Sequence, residues 1–329
     1  MVTRLRPASD DRISPALLFV AVLGLLVAAT AGMWLRYPAL GGRVRNITRA
    51  ERPSSDHYLA LDHGGHVDHH VLYFGTDAEA LAHLRRADVL LLGNSRLMFA
   101  ARPRVLDAFF EARGLRYYVL GFGFREADRF PLAIIEKFDL RPRLVIVNAD
   151  GFFSDSVSDF GATVLQDSRF GAVRLQWEAE AAHEARRAMH LLVPNWLSLF
   201  GRPGFRSRRE MVAYRSRTDG SWQMSPWDPG EIWVPYHDPA QPPLTDWERA
   251  AARRFKSAMD RRGAALVLTF VPNPMPLGGG PALFADLLRV PFVQAEPAGL
   301  RTQDGDHLDE ASAVGWTEAF VAGLGRVIP

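Results

Sequence analysis

The chain has 329 residues, 48% of them apolar, and a formal charge of only +2, because 39 Lys and Arg nearly cancel 37 Asp and Glu. That length can bury a sizeable core, and the charge balance removes any global electrostatic case for a nucleic-acid partner. Cysteine is absent, which excludes disulfides, thiolate metal sites and thiol catalysis.

Ala16 to Leu35 carries no charged residue and is flanked by Arg12 and Arg36. About 20 apolar residues cross a bilayer as a helix. The sequence therefore predicts an N-terminal tail over 1–12 and a transmembrane helix over 13–35, with a signal peptide cleaved near Ala29-Thr30-Ala31 as the rival. More arginines follow this segment (Arg36, Arg43, Arg45, Arg49, Arg52) than precede it (Arg4, Arg6, Arg12), so the charge rule favours a cytoplasmic C-terminal side. Residues 36–85 read as a membrane-proximal linker leading into a helix near Asp77 to Arg86. The linker holds His57, His63, His66, His69 and His70 among Asp56, Asp62 and Asp68. Imidazoles three residues apart can meet and hold a divalent ion, while the plainer reading is a solvated segment.

After Arg86 short apolar runs alternate with helical stretches, the pattern of a parallel sheet covered on both faces. Strands are predicted at Val89 to Leu92, Tyr117 to Gly121, Leu144 to Asn148, Ala265 to Val271 and Phe292 to Gln294. Helices are predicted at Arg104 to Ala112, Glu126 to Lys137, Asp246 to Arg261, Ala282 to Leu288 and Glu310 to Gly323. Alternation of this kind defines an α/β fold, a three-layer α/β/α sandwich with a mainly parallel sheet, over 86–329. The stretch from about 152 to 243 breaks the rhythm and reads as an insertion, helical over Glu178 to Leu192 and then rich in Gly, Pro and Trp.

Two motifs carry chemistry. The first strand stops at Gly93-Asn94-Ser95-Arg96, which presents one hydroxyl at the lip of a parallel sheet, and Asp304-Gly305-Asp306-His307 lies just before the last helix. A histidine with an acid three residues before it is the base such a hydroxyl needs. Asp306 and Asp309 are competing acids, and Asn94-Ser95 would also serve as a plain helix cap. Arg96 would contact an anionic substrate or pair with a neighbouring acid. Trp222, Trp227 and Trp233 in the insertion would act as sugar platforms or as packing residues.

Together these residues resemble the SGNH (GDSL-like) hydrolase superfamily, in which Gly-Asp-Ser or Gly-Asn-Ser carries the nucleophile and a late D-x-x-H supplies acid and base. The resemblance covers roughly Arg86 to Gly151 and Ala264 to Gly323. It implies Ser95 as nucleophile, His307 as base and Asp304 as the acid that orients it. It further implies oxyanion donors at Gly121 or Gly123 after the second strand and at Asn148 after the third. The family's G-x-N-D departs here, with Ile146 in place of its glycine, Ala149 in place of its aspartate and Asp150 one position late. By resemblance to anchored members, the expected activity is that of a membrane-tethered esterase or O-acyltransferase on an exported polysaccharide or cell-envelope glycan. Its body would be extracytoplasmic (periplasmic), against the charge rule, and its partner an integral-membrane acyl donor. The chemistry calls for no cofactor and no metal. The alternative is an inactive SGNH-like protein that binds glycan or scaffolds an export complex.

Overall fold

A computed structural model describes residues 19–20, 22–25, 52–62, 65–123, 126–192, 212–224, 242–273 and 280–328. By internal contacts the chain divides into two units, 1–47 with 201–208 and 48–200 with 209–329. In the first, residues 19–20 and 22–25 are helical. Most of the apolar segment predicted to span a membrane lies outside the described residues, among which no helix is long and apolar enough to cross one.

The second unit begins with β1 (His57–Asp62), β2 (Gly65–His66), α1 (Val67–Phe74) and α2 (Ala78–Arg86). It continues through β3 (Val89–Gly93), α3 (Ser95–Ala100), α4 (Pro103–Glu111), β4 (Tyr117–Gly121), α5 (Arg129–Lys137) and β5 (Leu144–Asn148). Next come α6 (Asp159–Gln166), α7 (Arg169–Leu192), β6 (Ala213–Ser216) and β7 (Trp222–Met224). The last elements are α8 (Asp246–Asp260), β8 (Ala265–Phe270), α9 (Pro281–Leu288), β9 (Phe292–Gln294) and α10 (Glu310–Leu324).

Five strands make a parallel sheet in the order β4-β3-β5-β8-β9. Their side chains alternate between two cores. Leu90, Leu92, Val145, Val147, Leu266 and Leu268 pack with Phe130 and Ile134 of α5, Phe255 of α8 and Phe284 of α9. Val89, Leu91, Ile146 and Val267 pack with Leu97 of α3, Phe110 of α4 and Trp316 of α10. A strand buried on both faces must be apolar at every position, which is why these strands read as unbroken runs. Each such side chain contributes about 1.5–3 kcal/mol by leaving water. In chain order the first parallel strand, β3, lies between the second and the third, so the winding reverses at the crevice between β3 and β5. Ligands of open α/β sheets bind at such a reversal, beyond the carboxyl ends of the strands.

A second sheet, antiparallel in the order β2-β1-β6-β7, was not expected. Its strands come from the stretch read as a linker and from the insertion, with Leu59 opposite Tyr214 and Tyr58 opposite Arg215. The solvated reading of the His-rich segment is corrected: His66, Asp68, His69 and His70 are all buried. Asp68 is held in ion pairs by His69 and Arg215, and His70 by Asp167, which offsets the cost of burying them.

Candidate active site

β3 ends at Gly93, where a Cβ would come within 3.0 Å of Asn148 and Leu97, so glycine lets β5 and α3 close on the strand end. Asn94 then caps α3. Its Oδ1 accepts the Arg96 N–H at 3.0 Å, and its Nδ2 donates to the Asp150 carbonyl at 3.0 Å. Ser95, the first residue of α3, thereby sits at the mouth of the β3/β5 crevice. Its Oγ lies 2.9 Å from Nε2 of His307, and Nδ1 of the same ring lies 2.6 Å from Oδ2 of Asp304. A carboxylate only accepts, so Nδ1 carries the proton and Nε2 is left to accept from the Ser95 hydroxyl.

The loop that delivers His307 is stitched by its own acid. Asp304 Oδ1 accepts the N–H groups of Asp306 (2.9 Å) and His307 (2.7 Å), Thr302 bridges to Leu308, and Gly305 adopts φ +86°, which a side chain would resist. Burial alone would raise the Asp304 carboxyl, but the hydrogen bonds from His307 and the two N–H groups outweigh it and hold the group below the usual carboxylate range. The competing acids have other partners, although Asp306 Oδ2 also lies 3.8 Å from His307 Nε2. Asp306 Oδ1 pairs with Arg96, and Asp309 caps α10 through Ser312 N–H. The Phe99 ring, 4.2 Å from that of His307, backs the imidazole.

Other candidates take different places. Arg96 is 2% exposed and paired with Asp150 and Asp306, the second of its two expected roles, so it ties the β5 end to the His307 loop. Asn148 is fully buried; its Oδ1 accepts the Val271 N–H at 3.0 Å, and its Nδ2 lies 3.5 Å from Asn94 Oδ1. At Gly121 a Cβ would come within 2.5 Å of Met98 Sδ, and at Gly123 within 2.8 Å of His66 Cε1 and 3.2 Å of the Trp222 ring. Both glycines are therefore demanded by packing. Trp222 is 5% exposed and packs in the second core. Trp227 and Trp233 lie outside the described residues. A cavity of about 630 Å³ is bounded by Met98, Phe99, Arg102, Pro103, Trp222 and Met224. Ser95 and His307 do not line it; Phe99 is the shared wall.

Of the histidine group, His66, Asp68 and His69 bring possible metal-ligand atoms within 4.8 Å of one another. Asp68, however, faces the Arg215 guanidinium at 3.1 Å, and His69 has Asp68 at 3.0 Å on Nδ1 and Glu126 at 3.3 Å on Nε2. Burial opposes charge on His69, yet the two carboxylates outweigh it and raise its pKa; His66, dominated by burial, is pushed down to about 4. Arg215 escaped the sequence reading because an arginine in a short polar stretch looks like a surface residue, and nothing in Ala213–Ser216 marks it as fully buried.

An α/β scaffold with a mostly parallel five-stranded sheet thus carries a hydrogen-bonded Ser-His-Asp chain at its winding reversal. No protein-family model matches the chain, and no curated protein matches it. Among solved structures, one from Bacteroides fragilis NCTC 9343, described as a "putative acylhydrolase", is similar at 14% identity. That match covers 78% of this chain and 98% of the other, with a TM-score of 0.34.

Proposed function

We propose that this protein is a serine acyl-transfer enzyme of SGNH type. The observation that carries the reading is the continuous chain from Ser95 Oγ to His307 Nε2 at 2.9 Å and from His307 Nδ1 to Asp304 Oδ2 at 2.6 Å. Ser95 Oγ attacks an ester carbonyl while His307 takes its proton. The oxyanion forms against Gly123 and Asn148, with Gly121 holding the strand end behind them. The ester C–O bond then breaks, His307 returns the proton to the leaving alkoxide, and an acyl-serine remains. Water or a sugar hydroxyl, deprotonated by His307, releases the acyl group and restores Ser95. Asp304 stays ionised and holds the ring in the reactive tautomer.

The substrate belongs to the same proposal: acyl esters of an exported polysaccharide or cell-envelope glycan, on the extracytoplasmic side of a membrane anchored through 13–35, with an integral-membrane protein as acyl donor where the reaction is transfer. Support for the anchor is the charge-free run from Ala16 to Leu35. Mass spectrometry of the purified protein after incubation with a small acyl ester or a fluorophosphonate tests the chemistry. A stable adduct on Ser95, absent from Ser95→Ala, is expected; a folded wild-type protein that never acquires one overturns it. That failure would favour the glycan-binding or scaffold reading, which draws its own support from Asn148, fully buried with its amide engaged by Asn94 and Val271.

A further inference from the structure

The parallel sheet ends at β4, an edge strand, and an edge strand leaves alternate carbonyls without a ladder partner. On β4 those outward groups belong to Val119 and Gly121, since Phe122 N–H turns the other way to bond Gly93 O at 3.0 Å and Val119 N–H finds the Asp219 carbonyl at 2.7 Å. Both outward carbonyls are taken by one side chain: Arg215 Nη2 donates to Val119 O and, at 3.0 Å, to Gly121 O. Arg215 belongs to β6 of the other sheet and is fully buried. Burying a guanidinium is costly unless a counter-charge is built beside it. Asp68, equally buried, supplies that charge at 3.1 Å from Nη1, and is itself held by His69, which reaches Glu126.

The same cluster touches Gly121, Phe122 and Gly123, at the end of β4 and just beyond it. The Gly121 carbonyl is bound by Arg215, the Phe122 ring lies 5.2 Å from the Arg215 guanidinium and 4.6 Å from the His69 ring, and His66 leaves Gly123 no room for a Cβ. A fold that needed only to cover an edge strand could use a loop. Here Nη2 of one planar group holds the carbonyls of Val119 and Gly121 while Nη1 is held by Asp68, so the direction of the backbone is fixed as well.

We propose that Arg215 is a positioning residue: anchored by Asp68, it fixes the Gly121–Gly123 backbone against which the oxyanion of the acyl-transfer reaction forms. The proposal rests on the serine-enzyme reading above. Arg215 never touches substrate; it acts through the loop. Lysine at 215 keeps a positive charge but, as a single ammonium, has no second nitrogen to hold Asp68 in a plane with the donor to the two carbonyls.

The test compares wild type, Ser95→Ala, Arg215→Lys and Asp68→Asn. Readouts are fluorophosphonate labelling rate, kcat and KM for p-nitrophenyl acetate, affinity for a boronic acid that forms a tetrahedral serine adduct, and thermal midpoint. In Arg215→Lys we expect kcat, labelling rate and boronate affinity to fall together by about 10²-fold, the cost of a misplacement near 1 Å, with KM unchanged. Asp68→Asn shifts the same three quantities in the same direction by less. Wild-type labelling and boronate affinity in both folded variants overturn the proposal, and so does loss of folding in both, which would make the cluster a stability element only. A wild type that does not label at Ser95 instead removes the serine-enzyme reading, so the two failures are distinguishable.

Discussion

Three carboxylates stand within six positions of one another in the loop before α10, and their environments give them three jobs. Asp304 accepts from the His307 ring and from two backbone N–H groups, Asp306 faces Arg96, and Asp309 caps a helix. The consequence is separable by substitution. Asp304→Asn can present an N–H to the ring and stabilise the wrong tautomer, so kcat/KM for a chromogenic ester falls by about 10³–10⁴-fold with the fold intact. Asp306→Asn removes a charge from Arg96, whose other partner Asp150 remains, and lowers the same constant by less than about tenfold, the worth of one modest hydrogen bond. The folded-state pKa of Asp304 is lowered, so the stabilisation it adds is present above the ordinary carboxylate value and is lost as pH falls through the folded value. In Asp304→Asn the acid limb of a denaturant-midpoint profile is accordingly shallower than in wild type.

At the scale of elements, capping decides where helices begin and the sheets decide what can be read in advance. Thr245 and Glu248 form a reciprocal box at the start of α8: Thr245 Oγ1 accepts the Glu248 N–H, and Glu248 Oε2 accepts the Thr245 N–H at 2.8 Å. Thr245→Ala lowers stability by ~1 kcal/mol in urea unfolding and leaves the Ser95 labelling rate unchanged. The five parallel strands were legible because two covered faces force an apolar side chain at every position, as in Val89–Gly93. The antiparallel sheet was not. In Ala213–Ser216 and His57–Asp62 the buried positions include Arg215, Ser216 and Asp62, whose polarity is met by partners remote in sequence, so local pattern points to loop where the fold has strand.

For the whole molecule, buried and half-buried imidazoles set the pH range of stability. His57, His66, His70 and His183 have folded pKa values below the ordinary 6.5, largely through burial, so the unfolded chain binds their protons first and stability rises with pH up to about 6.5. His69 is the opposite case: its raised pKa adds stability that is complete below 6.5 and fades as pH climbs through the folded value. Guanidinium unfolding midpoints are expected to rise from pH 4, peak near neutrality and decline beyond it, and His69→Gln should flatten the alkaline decline alone. What the sequence by itself determined is the layered α/β architecture and the identity of the hydroxyl, imidazole and acid that the site joins, because strand burial and the D-x-x-H turn are local and leave local marks. What only the tertiary structure decided is that Ser95 and His307, |i−j| = 212, share one rim, that Arg96 is spent on ion pairs, and that a His-rich stretch folds inward to brace Gly123. Those outcomes depend on where distant charges meet, and a buried charge is tolerated only beside a partner that the linear order of residues does not name.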